Sequence, residues 1–327
     1  MEETPVTIPA SGADVELAGA LATHGCPTAA ALLLPGSGPQ DRDETIAGQK
    51  PLLQLAHGLA AYGVASLRCD DRGVGGSGGE YLSIDGEALG KDVARQSAWL
   101  GARFPDLPVA VVGHSQGALF ALRLAACDPR IGRVVLLAGA IRPGMQSMMA
   151  MRRQMADDAG LEEADRESYL AHSRALFEAI STIDDPVRRR AAVLALVTES
   201  VAGASDADFA PDFGSVAEYI EYAIADALEW EVRELLRADA RATLAQVAAP
   251  VLAIWGRLDR HVDAAAEIAA FRSGARAESE ARILPDMNHL FQRSKTGRIE
   301  DYANDGPPMQ DPIPALVAAW ITAAPRP

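Results

Sequence analysis

The sequence contains few of the features that mark secreted, membrane-spanning or zinc-binding proteins. Its three cysteines, Cys26, Cys69 and Cys127, are odd in number and widely spaced, which favours buried thiols in a reducing compartment over a disulfide framework. Neither a Cys-x-x-Cys pair nor a His/Cys cluster is present, so no metal site is expected. No run approaches the roughly 18 consecutive apolar residues of a membrane-spanning helix. The acidic residues 1–5 lack the apolar run of a secretory signal, and we therefore expect a soluble, cytoplasmic protein.

Positive charge is scarce as well. The chain has 30 Lys and Arg against 45 Asp and Glu, which gives a formal net charge of −15 at pH 7. Nucleic acids require a basic face and anionic membranes repel an acidic one, so neither is expected as a partner. Apolar residues make up 49% of the 327 positions, enough for one large domain or for a core with an inserted subdomain.

Strand-like and helix-like segments alternate in the first 141 residues. Continuous apolar runs, typical of strands buried on both faces, occur at residues 29–34, 64–67, 109–112 and 134–137. Apolar residues at helical spacing lie between them, at residues 52–62, 89–104 and 116–127. Strands that alternate with helices through short loops predict an α/β fold with a mostly parallel, doubly wound sheet.

This alternation stops at about residue 142. Residues 142–241 show helical spacing without strand-like runs, and the alternation returns with predicted strands at residues 251–255 and 281–284. We therefore expect an α/β core of residues 1–141 and 242–327, interrupted by an all-helical cap, or lid, of residues 142–241.

The most informative motif is Gly113-His114-Ser115-Gln116-Gly117. A bare Gly-x-Ser-x-Gly is a weak pattern, but this one lies directly between a predicted buried strand and a predicted helix. A turn this tight forces the serine into strained backbone geometry at the carboxyl end of the sheet, where open α/β sheets bind their ligands. We predict that Ser115 is a nucleophile; the alternative is an ordinary glycine-rich turn.

A serine hydroxyl needs a base, and the base needs an acid at its other ring nitrogen. Of six histidines, His289 is the best placed, in a loop after the last predicted strand. His114 adjoins the serine, but neighbouring side chains on such a turn diverge. Asp259 follows the strand at residues 251–255 and is the preferred acid. Asp263 is the fallback, although a residue that opens a helix is more typical of an N-cap.

Acyl transfer also needs amide donors for the oxygen that gains negative charge. The N–H of Gln116, at the start of a helix, is one candidate. The second is expected from the loop at residues 35–39, where Ser37 is preferred and Gly38 is next, because Pro39 has no N–H. The alternative for this loop is a plain glycine–proline turn.

The glycine-rich loop at residues 70–77 lacks Gly-Lys-[Ser/Thr], which argues against a phosphate-binding loop. It contains Asp70, Asp71 and Arg72, and we expect an internal Asp–Arg pair to brace it near the site. Residues 41–43 are expected to play a similar part.

Together these features resemble the α/β-hydrolase superfamily, and residues 35–43 and 288–292 resemble bacterial carboxylesterases with a helical cap. The resemblance covers residues 15–141 and 251–320. It implies ester hydrolysis through an acyl-enzyme, with no cofactor. Many relatives have a His-Gly pair at the oxyanion turn, where this chain has Pro35-Gly36.

We therefore predict a serine carboxylesterase whose partner is a small to medium carboxylic ester. Thioesterase, lactonase, peptidase and acyltransferase activities use the same triad and stay open, and a catalytically silent ligand-binding protein is the alternative from another class. Candidates to line an acyl pocket, or else to pack the cap helices, are Met148, Met149, Phe213, Tyr219 and Tyr222. The acyl-chain length and the oligomeric state stay open.

Overall fold

The computed structural model describes residues 1–10, 15–209, 212–302, 309 and 312–323. The strands are β1 (Glu2–Ile8), β2 (Leu17–Thr23), β3 (Ala29–Leu34), β4 (Val64–Cys69), β5 (Val109–His114), β6 (Ile131–Leu137), β7 (Val251–Gly256) and β8 (Glu280–Leu284). The helices are α1 (Pro51–Ala61), α2 (Gly86–Arg103), α3 (Gly117–Cys127), α4 (Gly144–Asp158), α5 (Glu163–Thr182), α6 (Pro186–Ser200), α7 (Asp206–Phe209), α8 (Val216–Ala227), α9 (Trp230–Arg237), α10 (Ala240–Leu244), α11 (Ala264–Gly274) and α12 (Ile313–Thr322). Short 3₁₀ helices span Tyr81–Ser83 and Ile299–Tyr302.

All eight strands form one sheet in the order β1-β2-β4-β3-β5-β6-β7-β8. The two pairings at the β1 edge, β1 with β2 and β2 with β4, are antiparallel. The five other pairings are parallel. The prediction of a mostly parallel sheet is therefore confirmed.

Burial explains why the central segments are strands. Every residue of β3, β4, β5 and β7 is buried, as expected for strands covered on both faces, and their sequences are almost continuous apolar runs. The edge strand β1 is largely exposed. Side-chain caps begin two of the flanking helices: the carboxylate of Asp85 accepts from the N–H of Ala88, and that of Asp263 accepts from Ala265 and Ala266. The N-cap prediction for Asp263 is confirmed.

The chain divides into two compact units. The first, Met1–Arg142 with Asp239–Pro327, contains the whole sheet, α1–α3 and α10–α12. We call it the sheet unit. The second, Pro143–Ala238, contains α4–α9 and no strand among its described residues, and we call it the helical unit. The boundaries expected from the sequence, at residues 142 and 241, lie close to these.

The three cysteines are all free. Cys69 is buried in β4, and this burial raises the pKa of its thiol. Cys26 and Cys127 are exposed, so the expectation of buried thiols is wrong for these two, because Cys26 lies in the loop between β2 and β3 and Cys127 is the last residue of α3. Among the residues that the structure describes, no helix combines the length and the hydropathy needed to cross a membrane.

Candidate active site

The strand order creates a crevice at one point of the sheet. After β3 the chain forms β4 on one side, and it then returns to form β5 on the other side of β3. The loops that follow β3 and β5 therefore leave the same edge of the sheet in opposite directions. Parallel α/β sheets bind ligands at such a switch point. The predicted oxyanion turn follows β3 and the predicted nucleophile follows β5, so the topology brings them together.

Ser115 connects β5 to α3 in the backbone geometry expected of a nucleophile turn. Its φ is +51°, in the left-handed region that non-glycine residues rarely adopt. The turn is held by a 2.8 Å hydrogen bond from the N–H of Ser115 to the carbonyl of Leu137 at the end of β6. A side-chain-bearing residue in this conformation indicates strain of the kind found at functional sites.

The two glycines of the motif are required by close backbone approach. A Cβ on Gly113 would lie 2.2 Å from the carbonyl oxygen of Gly117. A Cβ on Gly117 would lie 2.4 Å from the carbonyl oxygen of Pro35. The second contact shows that the helix start after Ser115 packs directly on the turn after β3.

His289 and Asp259 form the predicted base–acid contact. The Nδ1 of His289 and the Oδ2 of Asp259 are 2.7 Å apart, and both side chains are buried. The other carboxylate oxygen of Asp259 accepts from the N–H groups of His261 and Val262, at 2.8 and 2.9 Å. With one oxygen held by two amides, the second oxygen is directed at the imidazole.

The surroundings keep Asp259 ionised. Burial alone would raise the pKa of this carboxyl, but the charge and hydrogen bond of His289, with the two amide donors, outweigh burial and lower the pKa. An ionised acid at Nδ1 fixes the tautomer that leaves Nε2 free to accept a proton.

The loop between β8 and α12 fixes the backbone of His289. The side-chain oxygen of Asn288 accepts from the N–H groups of Leu290 and Gln292, and its amide nitrogen donates to the side chain of Gln292. Phe291 has a φ of +58°. These local bonds make a tight turn that presents His289 toward the edge of β7, where Asp259 follows.

The backbone amides near the proposed oxyanion site differ in whether they already have a hydrogen-bond partner. The backbone N–H groups of Gln116 and Ser37 make no hydrogen bond to the part of the chain that the structure describes, as amides kept for a ligand would. Gly38, with a φ of +84°, takes part in a polar contact. The N–H of Gly36, in contrast, donates to the Oε1 of Glu44 at 2.6 Å.

Sequence reasoning did not predict that two other histidines lie beside His289. The ring centroid of His289 is 4.9 Å from that of His114 and 4.7 Å from that of His261. His261 keeps access to solvent, but desolvation of its inner side and the charge of His289 lower its pKa to about 4, so that ring is neutral at pH 7. His114 contacts Glu44, which no pattern in the sequence had singled out.

The acidic and basic side chains of the loop at residues 70–77 have partners outside the loop. Asp70 accepts two hydrogen bonds from the guanidinium of Arg42, at 2.9 and 2.5 Å. Arg72 donates twice to Asp92 on α2, both at 2.7 Å. Asp–Arg pairs therefore connect this loop to other elements of the sheet unit.

The five pocket candidates belong to the helical unit. Met149 is 4% exposed and lies within the apolar cluster of that unit, and Met148 packs against the same cluster. Tyr219 stacks on Phe209 with ring centroids 4.5 Å apart, and the ring of Phe213 contacts both tyrosines. Packing within the unit therefore accounts for Met149, whereas Tyr222 remains 56% exposed.

Comparison with known proteins adds relatives in sequence and in structure. A family model described as serine aminopeptidase, S33, matches residues 50–210, which include Ser115. The esterase EstD of Thermotoga maritima is 32% identical over 136 residues, which cover 41% of this chain and 32% of that protein. The chain therefore spans about a third of the length of this curated relative.

Two solved structures share the architecture over most of the chain. An esterase from Pyrococcus furiosus superposes with a TM-score of 0.54 at 18% identity, over 87% of this chain and 82% of its own. A proline iminopeptidase from Mycobacterium smegmatis gives a TM-score of 0.56 at 18% identity, over 97% of both chains. At these identities the likeness shows the fold alone.

Proposed function

We propose that the chain, which has the α/β-hydrolase fold and is similar to an esterase over 136 residues, is a serine carboxylesterase acting on small to medium carboxylic esters. The observation that carries the proposal is the 2.7 Å contact between His289 and Asp259, at the sheet edge where the strained Ser115 stands. Acyl transfer requires an ionised acid on a histidine and a serine nucleophile, and here both are supplied by loops at the same edge of the sheet.

The proposed reaction proceeds in two steps. His289 takes the proton of Ser115 as its oxygen attacks the ester carbonyl, and the amides of Gln116 and Ser37 stabilise the oxyanion. His289 then gives the proton to the departing alcohol, which leaves an acyl-Ser115. Water, deprotonated by the same histidine, then attacks the acyl carbonyl, and His289 returns the proton to the oxygen of Ser115 as the acid leaves. One oxyanion donor typically contributes about 3 kcal/mol to stabilisation of the transition state.

Replacement of the nucleophile tests the proposal. We expect Ser115→Ala to abolish hydrolysis of p-nitrophenyl acetate and labelling by a fluorophosphonate probe, with an unchanged unfolding midpoint. Ser273→Ala, on the exposed face of α11, is the matched control and should behave as the wild type. Turnover retained in Ser115→Ala would overturn the assignment of the nucleophile, and an unlabelled, inactive wild type would favour a ligand-binding protein.

A second candidate activity is aminopeptidase, because the matching family model is described as serine aminopeptidase and one structural neighbour is a proline iminopeptidase. The same triad also serves thioesters and lactones. Turnover of p-nitrophenyl esters of increasing acyl length, compared with a thioester, a lactone and proline p-nitroanilide, separates these activities. A preference for the anilide would replace the esterase proposal.

The helical unit is proposed to be the cap, on the ground that it is inserted between β6 and β7 in the chain order of the fold. Under this proposal its side chains, Met148 and Tyr222 among them, select the acyl group. The cytoplasmic location expected from the sequence stays a prediction.

A further inference from the structure

A second acid–histidine pair lies beside the first, and the proposed mechanism does not use it. Glu44 and His114 are 0% and 1% exposed, and the Oε1 of Glu44 lies 2.7 Å from the Nδ1 of His114. The same oxygen accepts the N–H of Gly36, at 2.6 Å. At the far side of the ring, the Nε2 of His114 lies 2.9 Å from the backbone carbonyl of His289. The pair therefore contacts both the oxyanion turn and the loop of the proposed base.

The partners of His114 determine how many protons the pair holds. A carbonyl oxygen can only accept, so the Nε2 of His114 must carry a hydrogen. The contact between Nδ1 and Glu44 needs one more hydrogen, whichever of the two atoms bears it. Two protons in total give the pair a net charge of zero, a state that burial favours over a lone buried charge.

The electrostatics agree with this count. Burial by itself would lower the pKa of His114, but the charge and hydrogen bond of Glu44, with smaller contributions from the His289 carbonyl and Asp259, outweigh burial and raise it. A raised pKa favours the protonated ring, which can donate at both nitrogens.

Gly36 lies next to both this pair and the proposed nucleophile. A Cβ on Gly36 would lie 2.9 Å from the Oε1 of Glu44 and 3.2 Å from the Cβ of Ser115. Glu44 itself has a φ of +56°, in the left-handed region, and its second carboxylate oxygen has no partner among the described residues. The chain holds an acid at this position despite an unfavourable backbone conformation, because the acid reaches Gly36 and His114 from there.

We propose that Glu44 and His114 are positioning residues that set the distance between the oxyanion turn and His289. The inference rests on the proposed function, since it assumes that Ser115 and His289 react. Neither member of the pair touches the reacting atoms in this scheme: Glu44 acts through the amide of Gly36, and His114 acts through the carbonyl of His289.

Substitutions at residue 114 separate positioning from general stability. Glutamine places its amide near the position of Nε2 and can still donate to His289, whereas asparagine reaches only toward Glu44. We expect His114→Asn and Glu44→Gln to lower kcat by about 10- to 100-fold, the range caused by small misplacement of catalytic groups, with KM changed little. His114→Gln should recover most of the loss.

A matched acid–histidine pair on the surface supplies the control. His57 and Glu3 are 3.0 Å apart, and their side chains are 39% and 36% exposed. Glu3→Gln and His57→Gln should leave kcat unchanged. Each kcat is calculated per active site, with the concentration of active sites taken from the end point of the fluorophosphonate titration. Unfolded molecules are therefore not counted as enzyme.

The outcomes are distinguishable. If wild-type turnover requires Ser115 but Glu44→Gln and His114→Asn keep full kcat per titrated site, the positioning role is wrong and the proposed function stands. Equal losses of kcat in His114→Gln and His114→Asn also contradict the positioning role. If residue 114 only stabilised the fold, it would make no difference which of the two amides replaced the ring. If Ser115→Ala is as active as the wild type, the proposed function itself fails.

Discussion

The two units of the chain bury different kinds of side chain. Of the polar and charged residues described as buried, all but Ser173 and Glu231 belong to the sheet unit. The helical unit instead buries an apolar cluster, in which Val193 and Ile224 are 0% exposed and Phe177 is 1% exposed. One acid of this unit, Asp184, forms ion pairs with two arginines and is 82% exposed.

This difference indicates how each unit is stabilised. A buried carboxylate must be paired and hydrogen-bonded, so each one in the sheet unit fixes the elements that supply its partners. Apolar packing is non-directional, and exposed ion pairs contribute little. The buried acids of the sheet unit therefore hold its elements in fixed positions, whereas apolar packing gives the helical unit no such directional constraint.

The largest expected loss of kcat comes from a substitution that breaks the polar network at the proposed site. Asp259→Asn removes the charge that fixes the tautomer of His289, and we expect kcat to fall by about 10³- to 10⁴-fold, as such a change does in a serine protease. Steady-state kinetics with p-nitrophenyl acetate measure the effect. Asp263→Asn is the control, since asparagine caps a helix as well as aspartate does, and its kcat should be unchanged.

A stability comparison between one acid from each unit sharpens the contrast. Glu267 is 0% exposed and accepts from the N–H groups of Ile141 and Arg142 and from the guanidinium of Arg142. We expect Glu267→Gln to lower the free energy of unfolding by about 3 kcal/mol, because it breaks a buried pair. Asp184→Asn should leave unfolding unchanged within error. Denaturation in urea gives both values, and similar losses would contradict the contrast.

The smallest effect on activity is expected from the packed methionine. Met149→Ala leaves a cavity in the apolar cluster of the helical unit and should cost about 2 to 5 kcal/mol of stability. The order of preference among p-nitrophenyl esters of increasing acyl length should not change. A changed preference without loss of stability would make Met149 a pocket residue. Met148→Ala, at the margin of the same cluster, is the companion variant.

Much of the site could be read from short stretches of sequence. The pattern around Ser115 depends on a strand, a glycine turn and a helix that follow one another, and each has its own local signal. The same reasoning distinguished the predicted acid Asp259 from the predicted N-cap Asp263, because a residue at the start of a helix has backbone N–H donors close to its side chain. The contact between Asp259 and His289 joins two strand ends whose strands are neighbours in the sheet.

The pair of Glu44 and His114 could not be read in this way. The two residues are 70 positions apart, and neither lies in a pattern that distinguishes it from a surface charge or a core histidine. The partners of Asp70 and Arg72 were missed for the same reason, since Arg42 and Asp92 come from other elements.

What the sequence alone determined is therefore the set of local elements, their order along the chain and the turn that strains Ser115, because hydrophobic periodicity and glycine placement act between near neighbours. Only the tertiary structure decided which charged groups meet. That choice depends on the order of the strands in the sheet, and above all on β3 lying between β4 and β5, where the loop with Glu44 comes within reach of His114. A buried charge makes a specific partner necessary, but the partner's identity follows from the strand order and not from spacing in sequence.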